Sequence, residues 1–303
     1  MILDFKPRRS ALYLPATNEK ALAKAKNLPV DIVILDLEDA VAPAMKSSAR
    51  AAAVAAIREG GFGDREIILR VNGLDSEWAR DDFVAAARCG ADGILVPKVN
   101  GPGDIDRCER LLADAPAALA LWAMVETCAA IPALPAIAAT ASRGRLAGFV
   151  MGTNDLAKEM RAKLTEDRLA FLPILTAAVL AARACGLVLL DGVCNDFQDL
   201  DRFERECTQG LTLGFDGKTI IHPRQVELCN KVFSPTDAEG DWARQVVEAF
   251  AAPQNAGKGV LQIEGRMVEL LHLEDARRIV ALAAAIARTD TEMKDGRTGS
   301  SRL

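Results

Sequence analysis

The stretch DIVILDLED, residues 31–39, is an apolar run with acids at both ends. Residues 32–35 are all aliphatic, so the run has no polar face and indicates a strand that is buried on both sides. Similar runs recur along the chain, separated by alanine-rich stretches of helical character. They are SALYLPA (10–16), EIILRVN (66–72), GILVPKV (93–99), LALWAMVE (119–126), GFVMGTND (148–155), LVLLDGV (187–193) and the weakest, LTLGFDGKTIIH (211–222).

Eight strand and helix units in roughly 220 residues fit a parallel (β/α)8 barrel better than a doubly wound sheet. The sequence therefore predicts an α/β protein with a TIM-barrel fold over residues 1–233. A helix, the strand-turn-strand VLQIEGRMVE and a second helix at about 273–288 then predict a C-terminal appendage over 234–288. The polar remainder, 289–303, is predicted to be a disordered tail.

The composition indicates a protein that acts on small molecules. A net charge of −5 and a pI near 5.3, with no block of Lys and Arg, argue against nucleic-acid and membrane partners. The seven cysteines never form a Cys-x-x-Cys pair, which argues against a disulfide framework or a zinc site and favours a reducing compartment. The chain shows no signal-type run and no spanning stretch of ~18 apolar residues, so we predict a soluble cytoplasmic protein.

Polar side chains stand where each apolar run stops. The carboxyl ends of the strands form the active-site face of a (β/α)8 barrel, so these side chains are predicted to meet around one opening. They are Asp36, Glu38, Asp39, Arg70, Asn72, Lys98, Glu126, Asp155 and Asp191. Most of them are acids, and the sequence therefore predicts a polar, acidic site.

Two of these acids, Glu126 and Asp155, end consecutive runs, so their carboxylates are predicted to converge. Two like charges at close range need a compensating cation or proton. Mg2+ is the natural occupant, because Mg2+ accepts one or two carboxylates and keeps positions for water and substrate oxygens. Mn2+ is the alternative. Acids at these positions also cap helices, and the spacing does not decide between the two roles.

Arg70 offers a guanidinium at the end of the third run, where it could hold a carboxylate or stabilise an enolate oxygen. The alternative is a structural salt bridge to the acids of DLED. Tyr13 is followed by Lys20 and Lys24, which lie on one helix face and could bind phosphates or simply face solvent. His222, before Pro223, suits a ligand contact or a helix cap equally well.

The ordered segments of this chain resemble the citrate lyase β-subunit-like family of CoA-ester lyases, within the HpcH/HpaI aldolase superfamily. The similar segments are RRSALYLPATNEKALAKA, DIVILDLEDAVAP, ILRVNG, GILVPKV, MVET, GTNDLA, GFDGKTIIHPRQ and GKGVLQIEGRMVE. The resemblance implies a (β/α)8 barrel in which residues 234–288 form a C-terminal helix/β-turn lid. It also implies a Mg2+-dependent enzyme that cleaves or forms a carbon–carbon bond beside a CoA thioester, assembled as a homotrimer or hexamer. By position, Glu126 and Asp155 resemble the metal ligands and Arg70 the substrate-binding arginine. The CoA contacts of the family fall on Tyr13, Lys20, Lys24, Ile221 and His222.

In these lyases the acid/base is a lid aspartate that reaches a neighbouring subunit, in a segment that reads roughly G-x-M-I-D. Here the segment is GRMVELLH, so Glu269 stands in place of the aspartate. One extra methylene moves the carboxylate by about an ångström, and a misplacement on that scale can cost ~100-fold in rate. The leading hypothesis is retro-Claisen cleavage of a malyl-CoA or citramalyl-CoA type substrate. The alternatives are hydrolysis of (3S)-malyl-CoA, an aldolase for free 2-oxo acids, and a non-enzymatic CoA-binding subunit.

Overall fold

The computed structural model describes residues 6–299, which divide into two compact units. The first unit is Arg8–Lys231, and the second is built from the C-terminal segment that begins at Val232. This division lies close to the predicted boundary at residue 233. Within residues 6–299 no helix is long and apolar enough to cross a membrane.

The first unit is a closed barrel of eight parallel strands, in the order of the chain. Strands β1 and β2 pair from Ala11 with Ile32 to Pro15 with Asp36, and β1 closes the barrel against β8. They are β1 (Ser10–Pro15), β2 (Ile32–Asp36), β3 (Glu66–Arg70), β4 (Gly93–Val96), β5 (Ala120–Val125), β6 (Leu146–Met151), β7 (Val188–Asp191) and β8 (Gly217–Ile220). The predicted (β/α)8 barrel is confirmed.

Helices follow the strands, as the alanine-rich stretches predict. They are α1 (Glu19–Ala25), α2 (Lys46–Glu59), α3 (Ala79–Cys89), α4 (Pro102–Leu111), α5 (Ala130–Ala139), α6 (Thr153–Met160), α7 (Leu172–Ala184), α8 (Leu200–Leu213) and α9 (Val226–Val232). Short 3₁₀ helices cover Pro43–Met45, Thr140–Arg143 and Pro223–Gln225. The outer faces of the strands are thereby covered, which explains why the strands are apolar on both sides.

One large side chain fills much of the barrel interior. Trp122 is fully buried and packs with inward-facing aliphatic residues of the other strands. A Cβ atom at Gly148 would lie 2.5 Å from the Trp122 ring, so the neighbouring strand has to carry glycine there. This packed layer closes the barrel below its carboxyl end and forms the floor of the site described below.

The second unit contains α10 (Asp237–Ala251), a 3₁₀ helix (Pro253–Asn255), the antiparallel pair β9 (Val260–Ile263) and β10 (Arg266–Glu269), and α11 (Leu270–Gly299). A capping box starts α10, because Thr236 and Glu239 each accept a hydrogen bond from the other's backbone N–H. The hairpin turns through Glu264 and Gly265 at φ of 48° and 78°, as a two-residue type I′ turn requires. The core of this unit contains Ala243, Val246, Val268, Leu273 and Ala276.

Two element boundaries differ from the predicted ones. The weakest run, 211–222, begins as the end of α8, because Gly214 at φ 102° ends that helix and only Gly217–Ile220 forms β8. Helix α11 extends to Gly299, through most of the segment 289–303 that we predict to be disordered. That segment is polar but has no proline to stop a helix that has already formed. Residues 300–303 lie outside the described residues.

Candidate active site

A polar cavity of about 330 Å3 lies at the carboxyl ends of the barrel strands. Successive side chains of a strand face opposite sides. Met124 packs in the interior, so Glu126, two positions later, faces inward as well. The lining comprises Tyr13, Asp36, Asp39, Ala40, Arg70, Met124, Glu126, Met151, Gly152, Thr153, Asn154, Asp155, Val193, Asn195, Thr219 and Ile221. Seven residues that the sequence singled out thus line one cavity: Tyr13, Asp36, Asp39, Arg70, Glu126, Asp155 and Ile221.

Asp191 faces the other way, contrary to the expectation that every strand-end acid reaches the opening. It is fully buried and accepts hydrogen bonds from Arg168 at 2.7 and 2.8 Å and from Lys218 at 3.0 Å. Burial raises the pKa of Asp191, but the charges of Lys218 and Arg168 outweigh this and hold its pKa below the ordinary value. Glu206 lies 3.3 Å from Lys218 and balances the second cation. The buried charges of this cluster compensate one another, and Asp191 does not line the cavity.

Asn72 also turns away from the cavity. Its backbone and side-chain N–H groups both donate to Asp82 of α3, at 3.0 and 2.7 Å. Its role is to fix the start of the loop that follows β3.

Arg70 makes the salt bridge to the acids of DLED that the sequence left open, and it also lines the cavity. Its guanidinium lines the cavity and also donates to Asp36 through Nε at 2.6 Å and Nη2 at 2.5 Å. Nη1 lies 3.1 Å from Glu38 and 3.4 Å from Asp39. A bidentate pair of this kind fixes the plane of the guanidinium. The acids of DLED therefore orient Arg70 beside the cavity.

Lys98 connects the two halves of the site, which the sequence did not reveal. Its ammonium donates to Glu38 at 2.7 Å, and its backbone N–H donates to Glu126 at 2.8 Å. The residue adopts φ 55°, a left-handed conformation that disfavours residues with a Cβ atom. Burial raises the pKa of Glu38, although Arg70 and Lys98 oppose the shift. Nothing in the motif VPKV indicates this backbone conformation.

Glu126 is the most deeply buried acid of the cavity, at 1% exposure. Its Oε1 accepts from Lys98, whereas its Oε2 is buried without a hydrogen-bond partner among residues 6–299. Burial, followed by the charges of Glu38 and Asp155, raises the pKa of Glu126 to about 7, against the opposing hydrogen bond from Lys98. A Cβ atom at Gly152 would lie 2.4 Å from this Oε2, so the glycine makes room for the carboxylate.

Asp155 lies in the first turn of α6, beyond the end of β6, and lines the same cavity. Within the described part of the chain no three or more His, Cys, Asp and Glu side chains form a metal-ligating group. A cation at this site would therefore be bound by the carboxylate pair of Glu126 and Asp155, with water or substrate oxygens completing its shell. Mg2+ suits this donor set, because it commonly binds through one or two carboxylates.

Tyr13 lies deeper in the cavity than the sequence suggests. Its ring lies beneath the Arg70 guanidinium, with the guanidinium carbon 4.9 Å from the ring centroid. Its hydroxyl is buried and has no hydrogen-bond partner among residues 6–299. Ile221, 38% exposed, lies at the outer edge of the cavity.

The remaining predicted ligand contacts lie outside the cavity lining. Lys20 and Lys24 are exposed on α1. His222 caps the 3₁₀ helix Pro223–Gln225, where its Nδ1 accepts from the Arg224 N–H, and its ring stacks on Phe197 with centroids 4.4 Å apart. Burial, followed by the charges of Arg224 and Lys24, lowers the pKa of His222. The cap interpretation is therefore correct.

Glu269 belongs to the second unit, at the end of β10. It pairs with Val260 across the hairpin, and its backbone N–H donates to Nδ1 of His272 at 3.0 Å. Val268 faces the core of this unit, so the side chain of Glu269 faces the opposite side. Four exposed apolar side chains accompany it: Val260, Met267, Leu270 and Leu271.

Sequence reasoning also missed a pair of amides in the cavity wall. Asn154 and Asn195 each donate a side-chain hydrogen bond to the other, at 3.0 and 2.8 Å. They join the start of α6 to the loop after β7 and so hold the Asp155 turn in place. Two asparagines 41 positions apart give no sequence signal of their contact.

A closed parallel barrel with a polar cavity at the carboxyl ends of its strands is the arrangement of (β/α)8-barrel enzymes. The HpcH/HpaI aldolase/citrate lyase family model matches residues 9–223. The chain belongs to this family of enzymes, as the resemblance predicts.

Individual relatives span nearly the whole chain. A (3S)-malyl-CoA thioesterase of Cereibacter sphaeroides is 47% identical over 93% of this chain and 96% of its own length. The citrate lyase β subunit of Escherichia coli is 34% identical over 91% of this chain and 93% of its own length. The crystal structure of CitE from Mycobacterium tuberculosis, in complex with magnesium, acetoacetate and coenzyme A, superposes with a TM-score of 0.73. That chain is 28% identical and covers 91% of this chain and 97% of its own.

Proposed function

We propose that this protein is a Mg2+-dependent thioesterase that hydrolyses a short 3-hydroxy-dicarboxylyl-CoA, of the (3S)-malyl-CoA type, to the free acid and CoA. The observation that carries the proposal is the buried Oε2 of Glu126, which has no hydrogen-bond partner among residues 6–299 and shares one cavity with Asp155 and Arg70. This arrangement offers a cation site and a guanidinium to one small anionic ligand. Hydrolysis ranks first because the 47% identical relative is named a malyl-CoA thioesterase.

The metal site supports the proposal on chemical grounds. A buried carboxylate oxygen without a donor is costly, and a cation between Glu126 and Asp155 would remove that cost. The CitE structure, which is similar over most of the chain, contains magnesium. When bound, Mg2+ supplies positive charge that polarises a substrate oxygen.

The protein's own residues would divide the remaining tasks. Arg70, oriented by Asp36, would hold a substrate carboxylate or stabilise charge on the thioester oxygen. We propose that CoA lies along the β1 and β8 side, where Ile221 and His222 offer an apolar contact. The exposed ammonium groups of Lys20 and Lys24 would then bind its phosphates.

Glu269 is our proposed acid/base. Its position on a hairpin among exposed apolar side chains suits a surface that docks onto another protein surface. We propose a homotrimer or hexamer in which this unit acts as a lid for a neighbouring barrel. Glu269 would then take a proton from the water that attacks the thioester carbon.

The second candidate is retro-Claisen cleavage, which the sequence ranked first. The citrate lyase β-subunit relative favours it, as does an arginine placed to stabilise an enolate. Both reactions use the same cavity and place negative charge on the same thioester oxygen. They differ in which bond breaks, and therefore in which products appear.

One assay separates the two candidates. The purified protein is incubated with (3S)-malyl-CoA and Mg2+, and free thiol and glyoxylate are measured together. Thiol without glyoxylate indicates hydrolysis, whereas glyoxylate without thiol indicates cleavage. Absence of both products with every short 3-hydroxyacyl-CoA contradicts both candidates. Activity on free 2-oxo acids that survives Lys20→Ala and Lys24→Ala would indicate an aldolase instead.

We expect Glu269→Gln to lower kcat by ~100-fold or more, because general acid/base catalysis contributes on that scale. Glu269→Asp keeps the charge but shortens the side chain by one methylene, so it should lower hydrolysis and raise the share of cleavage. Product ratios and kcat report both effects. Glu274→Gln, an exposed acid on α11, is the matched control. Full hydrolysis by Glu269→Gln would exclude this residue as the base.

Stabilisation by Mg2+ should increase with pH. The pKa of Glu126 is raised to about 7, so the folded protein holds this proton more tightly than the unfolded chain. Without metal, stability is therefore lost as the pH rises toward 7. Since Mg2+ needs the ionised form, its apparent Kd should rise about tenfold from pH 8 to pH 6. Thermal unfolding with and without Mg2+ at pH 6 and pH 8 measures this difference in affinity. An equal Mg2+-dependent shift in Tm at the two pH values would contradict the prediction.

A further inference from the structure

Tyr13 is the single tyrosine of this chain, and its side chain has a property that the proposed function does not use. The hydroxyl is buried in the wall of the cavity and has no hydrogen-bond partner among residues 6–299. A phenol O–H in this position finds no acceptor on the described part of the protein, so its acceptor has to come from a molecule in the cavity, either water or a ligand. A substrate that enters the cavity can therefore take over this hydrogen bond.

The neighbouring acids explain why the hydroxyl has no partner. Both oxygens of Asp36 accept from Arg70 and from the backbone N–H groups of Glu38 and Ala40. Oε1 of Glu126 accepts from Lys98, and its Oε2 lacks a donor although it lines the same cavity as the phenol. One donor and one acceptor are thus unsatisfied in one cavity and do not satisfy each other.

Burial, reinforced by the neighbouring acids, keeps the phenol in its donor form. Burial raises the pKa of Tyr13 far above its ordinary value; Arg70 opposes this, and Asp36, Glu126 and Glu38 reinforce it. The group therefore offers an O–H at every working pH and is no base. The partner that suits this O–H donor is a substrate oxygen that gains negative charge during the reaction.

We propose that the Tyr13 hydroxyl donates a hydrogen bond to the thioester carbonyl oxygen of the substrate. This inference rests on the proposed function. In hydrolysis, water bonds to the thioester carbon and gives a proton to Glu269, the carbonyl electron pair moves to oxygen, and its return expels CoA thiolate, which takes up that proton. In cleavage, the 3-hydroxyl loses its proton and becomes the carbonyl of the 2-oxo acid. The electrons of the broken C–C bond form the thioester enolate, which is then protonated at carbon. Tyr13 keeps its proton in both and stabilises the same charged oxygen.

The position of Tyr13 relative to Arg70 supports this role. Asp36 engages two of the N–H groups of Arg70, and Glu38 and Asp39 share a third nitrogen. The guanidinium is therefore largely neutralised by acids, whereas the phenol beneath it brings an uncommitted donor to the same cavity wall. The resemblance assigns Tyr13 to CoA, and its depth in the cavity favours the acyl end of that molecule over the phosphates.

The test is Tyr13→Phe, which keeps the ring beneath Arg70 and removes only the hydroxyl. We expect kcat to fall by ~10²–10³-fold, as for loss of one oxyanion donor, with KM for malyl-CoA and the Mg2+-dependent shift in Tm nearly unchanged. The unfolding temperature without substrate should be equal or higher, because a buried unsatisfied hydroxyl is gone. Ser48→Ala, at an exposed hydroxyl of α2, is the control. An unchanged kcat, or a raised KM at constant kcat, would overturn the proposal.

A second measurement does not depend on turnover. Because the chain has one tyrosine, labelling with ¹³Cζ-tyrosine gives one NMR resonance. We expect this resonance to shift when Mg2+ and a malyl-CoA analogue with a ketone in place of the thioester are added, and to stay in place with Mg2+ and free CoA. Equal spectra with both, or no shift with either, would refute the hydrogen bond. If the wild-type protein turns over no CoA ester while the resonance still shifts with the ketone, the proposed function fails and the contact stands.

Discussion

Glu126→Gln should abolish stabilisation by Mg2+ and lower kcat by ~10³-fold, since a cation in such a site contributes several kcal/mol to charge stabilisation. The amide has nearly the shape of the carboxylate but no charge, so the cavity keeps its form while the cation site loses half of its anionic ligands. Without Mg2+ at pH 8, the variant should be at least as stable as the wild type, because it buries no ionised group whose pKa lies near 7.

Titration calorimetry with Mg2+ and thermal unfolding at pH 8 measure both effects. Glu204→Gln on α8, a half-exposed acid outside the cavity, should behave as wild type. Gly152→Ala tests the same site by a steric change, because the added Cβ would displace the Glu126 carboxylate. This substitution should weaken Mg2+ binding. If Glu126→Gln bound Mg2+ with wild-type affinity, the metal site would have to lie elsewhere.

Arg70→Met should destabilise the barrel by about 3–5 kcal/mol, which lowers Tm by roughly 10 °C, and should also remove activity. The guanidinium is paired with Asp36 and shares Glu38 with Lys98, and these two acids are 2% and 6% exposed. Without it, the buried Asp36 carboxylate loses its cationic partner and Glu38 keeps only Lys98, so these acids must take up protons or water. The loss of stability in Arg70→Met should therefore be larger at pH 8, where the carboxylates are ionised, than at pH 5.

A double variant separates the structural effect from the catalytic one. Asp36→Asn combined with Arg70→Met removes one of the orphaned charges, so Tm should recover in part while activity stays absent. Arg205→Met breaks an exposed pair with Glu166 and should cost ~1 kcal/mol or less. Full activity in Arg70→Met would show that Arg70 is only a structural cation.

Some of the residues that line the cavity could be predicted from the sequence pattern, and others could not. Glu126 and Arg70 were predicted because each breaks an apolar run at the end that a parallel barrel turns toward its site. Lys98 was named for its charge, yet its backbone N–H, which holds Glu126, depends on φ 55°. A dihedral angle imposed by loop closure leaves no periodic trace in a sequence. The contact between Asn154 and Asn195 likewise leaves no pattern in the sequence.

The sequence by itself determined the barrel, because runs such as DIVILDLED can bury both of their faces only in a parallel sheet covered by helices. It also determined which polar groups stand at the strand ends. Only the tertiary structure decided which of them enter the cavity. When both faces of a strand are apolar, the two-residue period is invisible, so strand pairing and barrel closure turn Glu126 inward and Asp191 outward. The burial that follows leaves the hydroxyl of Tyr13 and one oxygen of Glu126 without partners among residues 6–299.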